Sequence, residues 1–194
     1  MKPKKEKLAD VEIIPLTPAN WTDFEQLFGE KGACGGCWCM WWKLRRSVFV
    51  RQKGEKNRQA MKQLVDCGQV PGLLAFTGRK PVGWCAVAPR SEFPVLERSK
   101  ILKRIDDQPV WSVVCFFIAR DFRNLGISEQ LLHAAIAYAR QHGGKILEGY
   151  PVDPKKTPAP AVFLWTGLAA AFRNAGFVEA ARRSPTRPIM RCHL

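Results

Sequence analysis

Apolar and polar positions alternate or recur along the chain in a way that predicts a succession of short elements. Residues 11–16 form an apolar run suited to a first strand, and residues 17–28 carry Trp21, Phe24, Leu27 and Phe28 at helical spacing. A Gly- and Cys-rich loop at 29–39 leads to Met40-Trp41-Trp42 and a basic stretch. Residues 55–67 predict a second helix with Ala60, Leu64 and Val65 inward, broken by Pro71-Gly72. Residues 73–76 and 81–87, joined by Thr77-Gly78-Arg79-Lys80, predict a hairpin. Residues 89–109 are charged and Pro-bearing and are expected to wrap the sheet edge.

The strongest pattern runs from Val110 to Gly143. Val110-Trp111-Ser112-Val113-Val114-Cys115-Phe116-Phe117-Ile118 is β-branched and aromatic, which suits a strand buried on both faces. It meets the turn Arg123-Asn124-Leu125-Gly126-Ile127-Ser128, which opens a helical pattern. Ile127, Leu131, Ala135 and Tyr138 fall on one stripe, whereas Glu129, His133 and Arg140 fall opposite. The first amides of such a helix have no intrahelical acceptor, so with the helix dipole they favour an anion, typically a phosphate. A fifth strand at 145–150, a Pro-rich loop at 151–160, a helix over about 163–174 and two terminal strands complete the reading.

At these residues the chain resembles the GNAT superfamily of acyl-CoA-dependent N-acyltransferases. Arg123, Gly126 and Ser128 match its cofactor signature, with Ser in place of the usual Gly or Ala, and Gly176-Phe177 matches its helix ending in Gly-Phe. The resemblance covers residues 10–194 and implies one mixed α/β (α+β) domain of about seven strands with helices on both faces. Residues 1–9 are expected to be a disordered basic tail. It implies that the fourth and fifth strands splay, with the pantetheine arm of acetyl-CoA pairing with unoccupied backbone groups near Phe116, Phe117 and Ile118. The phosphates would then meet Arg123, Asn124, Leu125, Gly126, Ile127 and Ser128. The implied activity is transfer of an acyl group, acetyl first, from acyl-CoA to a primary amine. The implied partners are those two substrates, with a second copy of the chain left open.

Composition agrees with such a domain. The 194 residues are 46% hydrophobic, enough for a full core, and the longest apolar run is too short to cross a bilayer. No apolar signal segment follows the basic N-terminus, and the seven cysteines are an odd number, partly within strands, so a reducing cytoplasm is expected. The net charge of +14 suits an anionic cofactor. A non-catalytic basic nucleic-acid-binding protein stays open as an alternative, although no helix-turn-helix or zinc-finger spacing accompanies the charge.

Amide-forming acyl transfer needs a neutral amine, a base to deprotonate it and an acid for the departing thiolate. The family's Glu early in the fourth strand and its Tyr four residues before Gly176 are absent here; the latter position is Phe172. Glu148, expected among apolar neighbours, is the first choice as base, ahead of Asp106 and Asp107. Tyr150, on the same strand face by alternation, is the candidate acid. Trp38, Trp41 and Trp42 are expected to line an acceptor pocket for an apolar, aromatic or cationic amine. For a cationic acceptor, Glu92, Glu97, Asp106, Asp107 and Glu148 are the nearby carboxylates. Cys34, Cys37 and Cys39 have spacing that suits zinc if Cys67 or His193 joins them, giving a metal-dependent regulatory domain as a second alternative. The main expectation assigns these thiols to the acceptor loop, with no metal.

Overall fold

The computed structural model describes residues 8, 10–155 and 163–194. Seven strands form one sheet in the order β1-β2-β3-β4-β5-β7-β6. They are β1 Glu12–Pro15, β2 Gly72–Thr77, β3 Lys80–Pro89, β4 Trp111–Ile118, β5 Ile146–Gly149, β6 Val178–Arg182 and β7 Pro188–His193. Every neighbouring pair is antiparallel except β4 and β5, which are joined by the crossover helix α5, Ile127–Gln141. A parallel pair requires such a connection.

Each face of the sheet buries its own apolar cluster. On one, Trp21, Phe24 and Phe28 of α1 (Trp21–Phe28) pack with Trp38, Trp42, Trp84 and Met61, the last from α3 (Glu55–Asp66). On the other, Leu131, Ala135 and Ala139 of α5 pack with Phe116, Phe172 and Phe177. The stripe read from the sequence is thus the buried one, while His133 is exposed.

β4 departs from strict alternation at one point. Its register with β3 shifts so that Ala86 faces Cys115 and Val87 faces Val113, which leaves Val114 as an extra residue. Such a bulge re-aims side chains. Val114 and Cys115, adjacent in the chain, both join the α1-side cluster, while Val113 and Phe116 face α5.

Several expectations need correction. The helix over 163–174 is only α6, Ala169–Asn174: Gly167 has φ +86° and Leu168 is extended, so neither can continue a helix. Residues 89–109 do not wrap the sheet edge. They include α4, Pro94–Glu97, and insert Phe93, Leu96 and Leu102 into the α1-side cluster, because three large apolar side chains need burial. The basic stretch contains a helix, α2 (Arg46–Arg51), anchored by Phe49. The expected tail lies outside the described residues except for Leu8. Its N–H bonds the Leu125 carbonyl at 3.2 Å, and its own carbonyl accepts from Gln130 Nε2 at 2.7 Å. Residues 156–160 of the expected Pro-rich loop also lie outside the described residues.

Candidate active site

β4 and β5 pair at only three positions, Trp111↔Leu147, Ser112↔Glu148 and Val113↔Gly149, and then part. The chain after β5 does not leave the gap empty. Phe116 N–H donates to the Trp165 carbonyl at 2.6 Å, Val152 N–H to the Gly167 carbonyl at 2.8 Å, and Ala169 N–H to the Val152 carbonyl at 2.9 Å. Residues 165–169 therefore act as a short wedge between the diverging strands. The Phe116 N–H, expected to be unoccupied, is already paired. By alternation along β4 the Ile118 N–H faces the same way, further out.

A cavity of about 980 Å³ opens over this end of β4. On one side it is lined by Phe116, Phe117, Ile118, Arg123, Asn124, Gly126, Ile127 and Ser128. Gly126, with φ +82°, turns the chain into α5. Its carbonyl accepts from the amides of Glu129 and Gln130, the first of the helical ladder. The amides of Ile127 and Ser128 precede that ladder, and both residues line the cavity. Arg123 Nε donates to the Ile118 carbonyl at 3.0 Å, tying the turn to the strand end. This cradle fits a pyrophosphate: small residues, early helix amides and a guanidinium share one rim. Leu125 is not among the lining residues; its carbonyl faces Leu8 instead.

The opposite wall is aromatic and sulfur-rich. Trp41, Trp42 and Trp165 converge there, with ring centroids 6.3 Å apart for Trp41–Trp165 and 5.6 Å for Trp42–Trp165. Trp42 is fixed by its Nε1–H, which donates to the Val114 carbonyl at 3.0 Å, a group the bulge leaves outside the β3 ladder. Trp38 belongs to the core and not to this wall, stacked on Phe28 at 5.7 Å. Sequence reasoning missed Trp165, Phe49 and Lys53; Trp165 has no periodic neighbours, and only the wedge brings it to the other two tryptophans.

Four thiols, those of Cys34, Cys37, Cys39 and Cys115, also line the cavity. Cys39 accepts from Trp84 Nε1–H at 3.2 Å. A hydrogen bond from the Cys115 thiol, then that indole and the nearby Lys43 charge, hold the Cys39 thiol below its ordinary pKa against the cost of burial. Burial pushes Cys37 up to about 12. All seven cysteines are free, and among the described residues no three His, Cys, Asp or Glu side chains gather as metal ligands.

Glu148 does not sit among apolar neighbours. Its Oε1 accepts from Arg90 at 2.9 Å and from the Tyr150 hydroxyl at 2.7 Å, and its Oε2 accepts from Arg191 Nε at 2.8 Å. Ser112 Oγ lies 2.8 Å from the Tyr150 oxygen. The residue is 1% exposed, and neither Glu148 nor Tyr150 lines the cavity. Burial, reinforced by the Glu148 charge, holds the Tyr150 phenol protonated well above its usual range. Two guanidiniums beside one carboxylate explain why it tolerates burial. Three further carboxylates are similarly engaged: Glu92 with Lys43, Glu97 with Arg90 and Arg104, and Asp106 with Arg191. Asp106 also caps the Gln108 amide at 3.1 Å, as a turn former does. None of these carboxylates lines the cavity, whose charged side chains among the described residues are Lys53 and Arg123.

Solved structures share this fold at low identity. A GNAT-family acetyltransferase from Listeria monocytogenes superposes with a TM-score of 0.56 at 9% identity, covering 95% of each chain. The PaiA N-acetyltransferase of Thermoplasma acidophilum, solved in complex with coenzyme A, gives 0.53 at 13%, covering 95% of this chain and 99% of its own. An aminoglycoside 6'-N-acetyltransferase from Acinetobacter baumannii gives 0.50 at 18%, covering 90% of this chain and 95% of its own. No curated protein matches the sequence. These likenesses establish the fold alone. The acetyltransferase (GNAT) family model, however, matches residues 38–163, a span that runs from the tryptophan-rich loop through β4, the turn at Gly126 and β5. The splayed strands, the turn at Gly126 and that match together place this chain in the acetyltransferase (GNAT) family, whose acyl donor is acetyl-CoA.

Proposed function

We propose that the chain transfers an acetyl group from acetyl-CoA to a primary amine on an apolar or aromatic body. The observation that carries this reading is one continuous cavity in which the phosphate-binding turn and the tryptophan wall face each other. When bound, acetyl-CoA supplies an activated thioester. The amides of Ile127 and Ser128 with Arg123 hold its phosphates, and the Ile118 N–H pairs with an amide of its pantetheine arm. Phe116, Phe117 and the wedge at Trp165 and Gly167 exclude water from the thioester. Asn124, with φ +64°, shapes the rim of the turn.

The acceptor lies against Trp41, Trp42 and Trp165. Among the described residues no carboxylate lines the cavity, so a multiply cationic acceptor meets no counter-charge from them, whereas Lys53 meets an anionic group on an amino acid. Glu148 and Tyr150 act at one remove: their ion-paired network joins β4, β5 and β7 beneath the splay and fixes the strand ends that frame the cavity. A reducing compartment suits the cavity thiols. Purified protein with acetyl-CoA, screened against arylalkylamines, aromatic amino acids and polyamines with thiol release as readout, tests the reading. Turnover with either of the first two classes over polyamines supports it; preference for polyamines contradicts the acceptor assignment.

A further inference from the structure

Two cations line the cavity among the described residues, Arg123 and Lys53, and they stand on different walls. Arg123 is committed to the turn, where its Nε donates to the Ile118 carbonyl at 3.0 Å. The Lys53 ammonium lies 6.0 Å from the centre of the Phe49 ring. That ring meets Trp41 edge-on at 5.1 Å, and Trp41 in turn meets Trp165. Lys53 therefore stands at the end of the aromatic row, away from the turn at Gly126. The backbone fixes this placement. The Gly36 carbonyl accepts from the Gly54 amide and from Asn57 Nδ2, both at 3.0 Å, and Asn57 is fully buried. The two segments touch so closely that a β-carbon on Gly36 would overlap the Gly54 nitrogen. Residues 53–54 are thus pinned against the cavity rim, with the Lys53 side chain exposed at the mouth. Among the described residues no carboxylate pairs with it. Glu55 is held by Arg58, and Glu30, which borders an outer hollow together with Lys53, makes no ion pair with it. Residues 156–162, next to the wedge in sequence, contain no acid. A cation beside an aromatic wall, without an anion of its own, favours a ligand that brings one.

We infer that Lys53 binds a carboxylate on the acceptor, so that the acceptor is an aromatic amino acid and not a simple arylalkylamine. The inference rests on the aromatic acceptor proposed above and narrows it. The ring lies on Trp41, Trp42 and Trp165, the carboxylate meets the Lys53 ammonium at the Phe49 end, and the amine is left facing the splay. Opposite charges then match at both ends of the cavity, donor phosphates at Arg123 and the acceptor carboxylate at Lys53. Solvent reaches Lys53, so the pair has the strength of a largely exposed one. Selectivity of several-fold follows, not of orders of magnitude.

The test compares three acceptors with acetyl-CoA as donor and thiol release as readout: L-phenylalanine, L-phenylalaninamide and phenethylamine. The amide keeps the ring and the amine and removes the anion. Lys53→Met should lower kcat/KM for phenylalanine about fivefold or more, through KM, and leave the amide within about twofold. Dividing one effect by the other cancels the difference in amine basicity between the two acceptors. Lys53→Arg should keep most of the wild-type preference. Lys56→Met, which removes a neighbouring charge outside the cavity lining, should change neither acceptor by more than about twofold. The KM for acetyl-CoA should be the same in all these proteins. Equal losses for phenylalanine and its amide, or a loss carried by the KM for acetyl-CoA, would overturn the assignment of Lys53. Turnover of phenethylamine and the amide without turnover of phenylalanine would overturn it too, and would leave the proposed amine acceptor standing. No turnover of any of the three, in protein that binds acetyl-CoA by calorimetry, would remove the aromatic acceptor and this inference together. Absence of acetyl-CoA binding would remove the donor as well. Should Lys53→Met fail to fold, Lys53→Gln carries the same comparison.

Discussion

Val114 and Cys115 are consecutive residues of β4, yet both side chains pack on the α1 side of the sheet. A regular strand would send them to opposite faces. The bulge at Val114 has two consequences in the cavity: it frees the Val114 carbonyl to hold the Trp42 indole, and it turns Cys115 to the cluster that holds Cys39. The tryptophan wall is thus anchored by a backbone irregularity in the strand that also borders the Gly126 side of the cavity.

Gly126→Val is expected to weaken acetyl-CoA binding by tenfold or more, about 1.4 kcal/mol. Gly126 holds φ +82° at the entrance to α5, where a β-branched residue is strained and would displace the amides of Ile127 and Ser128. Calorimetric titration reads the affinity. Thermal unfolding separates that loss from global destabilisation.

Glu148→Gln is expected to cost stability, on the order of 3–5 kcal/mol, by leaving Arg90 and Arg191 without their buried anion. Urea unfolding measures this. Because Glu148 does not line the cavity, the pH–rate profile of the variant should keep the wild-type inflections. Loss of an inflection would restore Glu148 as the base.

Acid should destabilise the fold through its arginine-paired carboxylates. Arg191 holds Asp106 below the usual carboxylate range, and Arg182 does the same for Asp153 and Glu179. Their folded pKa values lie below the unfolded ones, so the unfolded chain binds more protons. Their stabilisation is complete above the ordinary carboxylate pKa of about 4 and is lost as pH falls through the depressed values. Melting temperature should therefore decline from about pH 5 downward, and Arg182→Gln should flatten that decline.

The succession of strands along the chain and the Gly126 turn into α5 were legible because each is a local signal. The apolar run at 110–118, the Gly126 turn and the stripe through Leu131 and Ala135 are properties of contiguous residues, and Gly176 with φ +88° closes α6 as its position implies. The tryptophan wall of the cavity was half legible: Trp41 and Trp42 line it, but Trp38 is core and Trp165 arrives from 123 positions beyond Trp42. Glu148 misled for a related reason. Its strand neighbours are apolar, and the two arginines that neutralise it, Arg90 and Arg191, come from the end of β3 and from β7. Non-local partners of a buried charge leave no mark on the residues flanking it.

Acetyl-CoA is expected to bind in the cavity between the end of β4 and the start of α5. Titrating acetyl-CoA into wild-type protein and Gly126→Val side by side tests it most directly. Saturable one-to-one binding to the wild type is expected, weakened at least about tenfold in the variant while the fold is retained. No saturable binding to the wild type, or equal binding to both proteins, would contradict it.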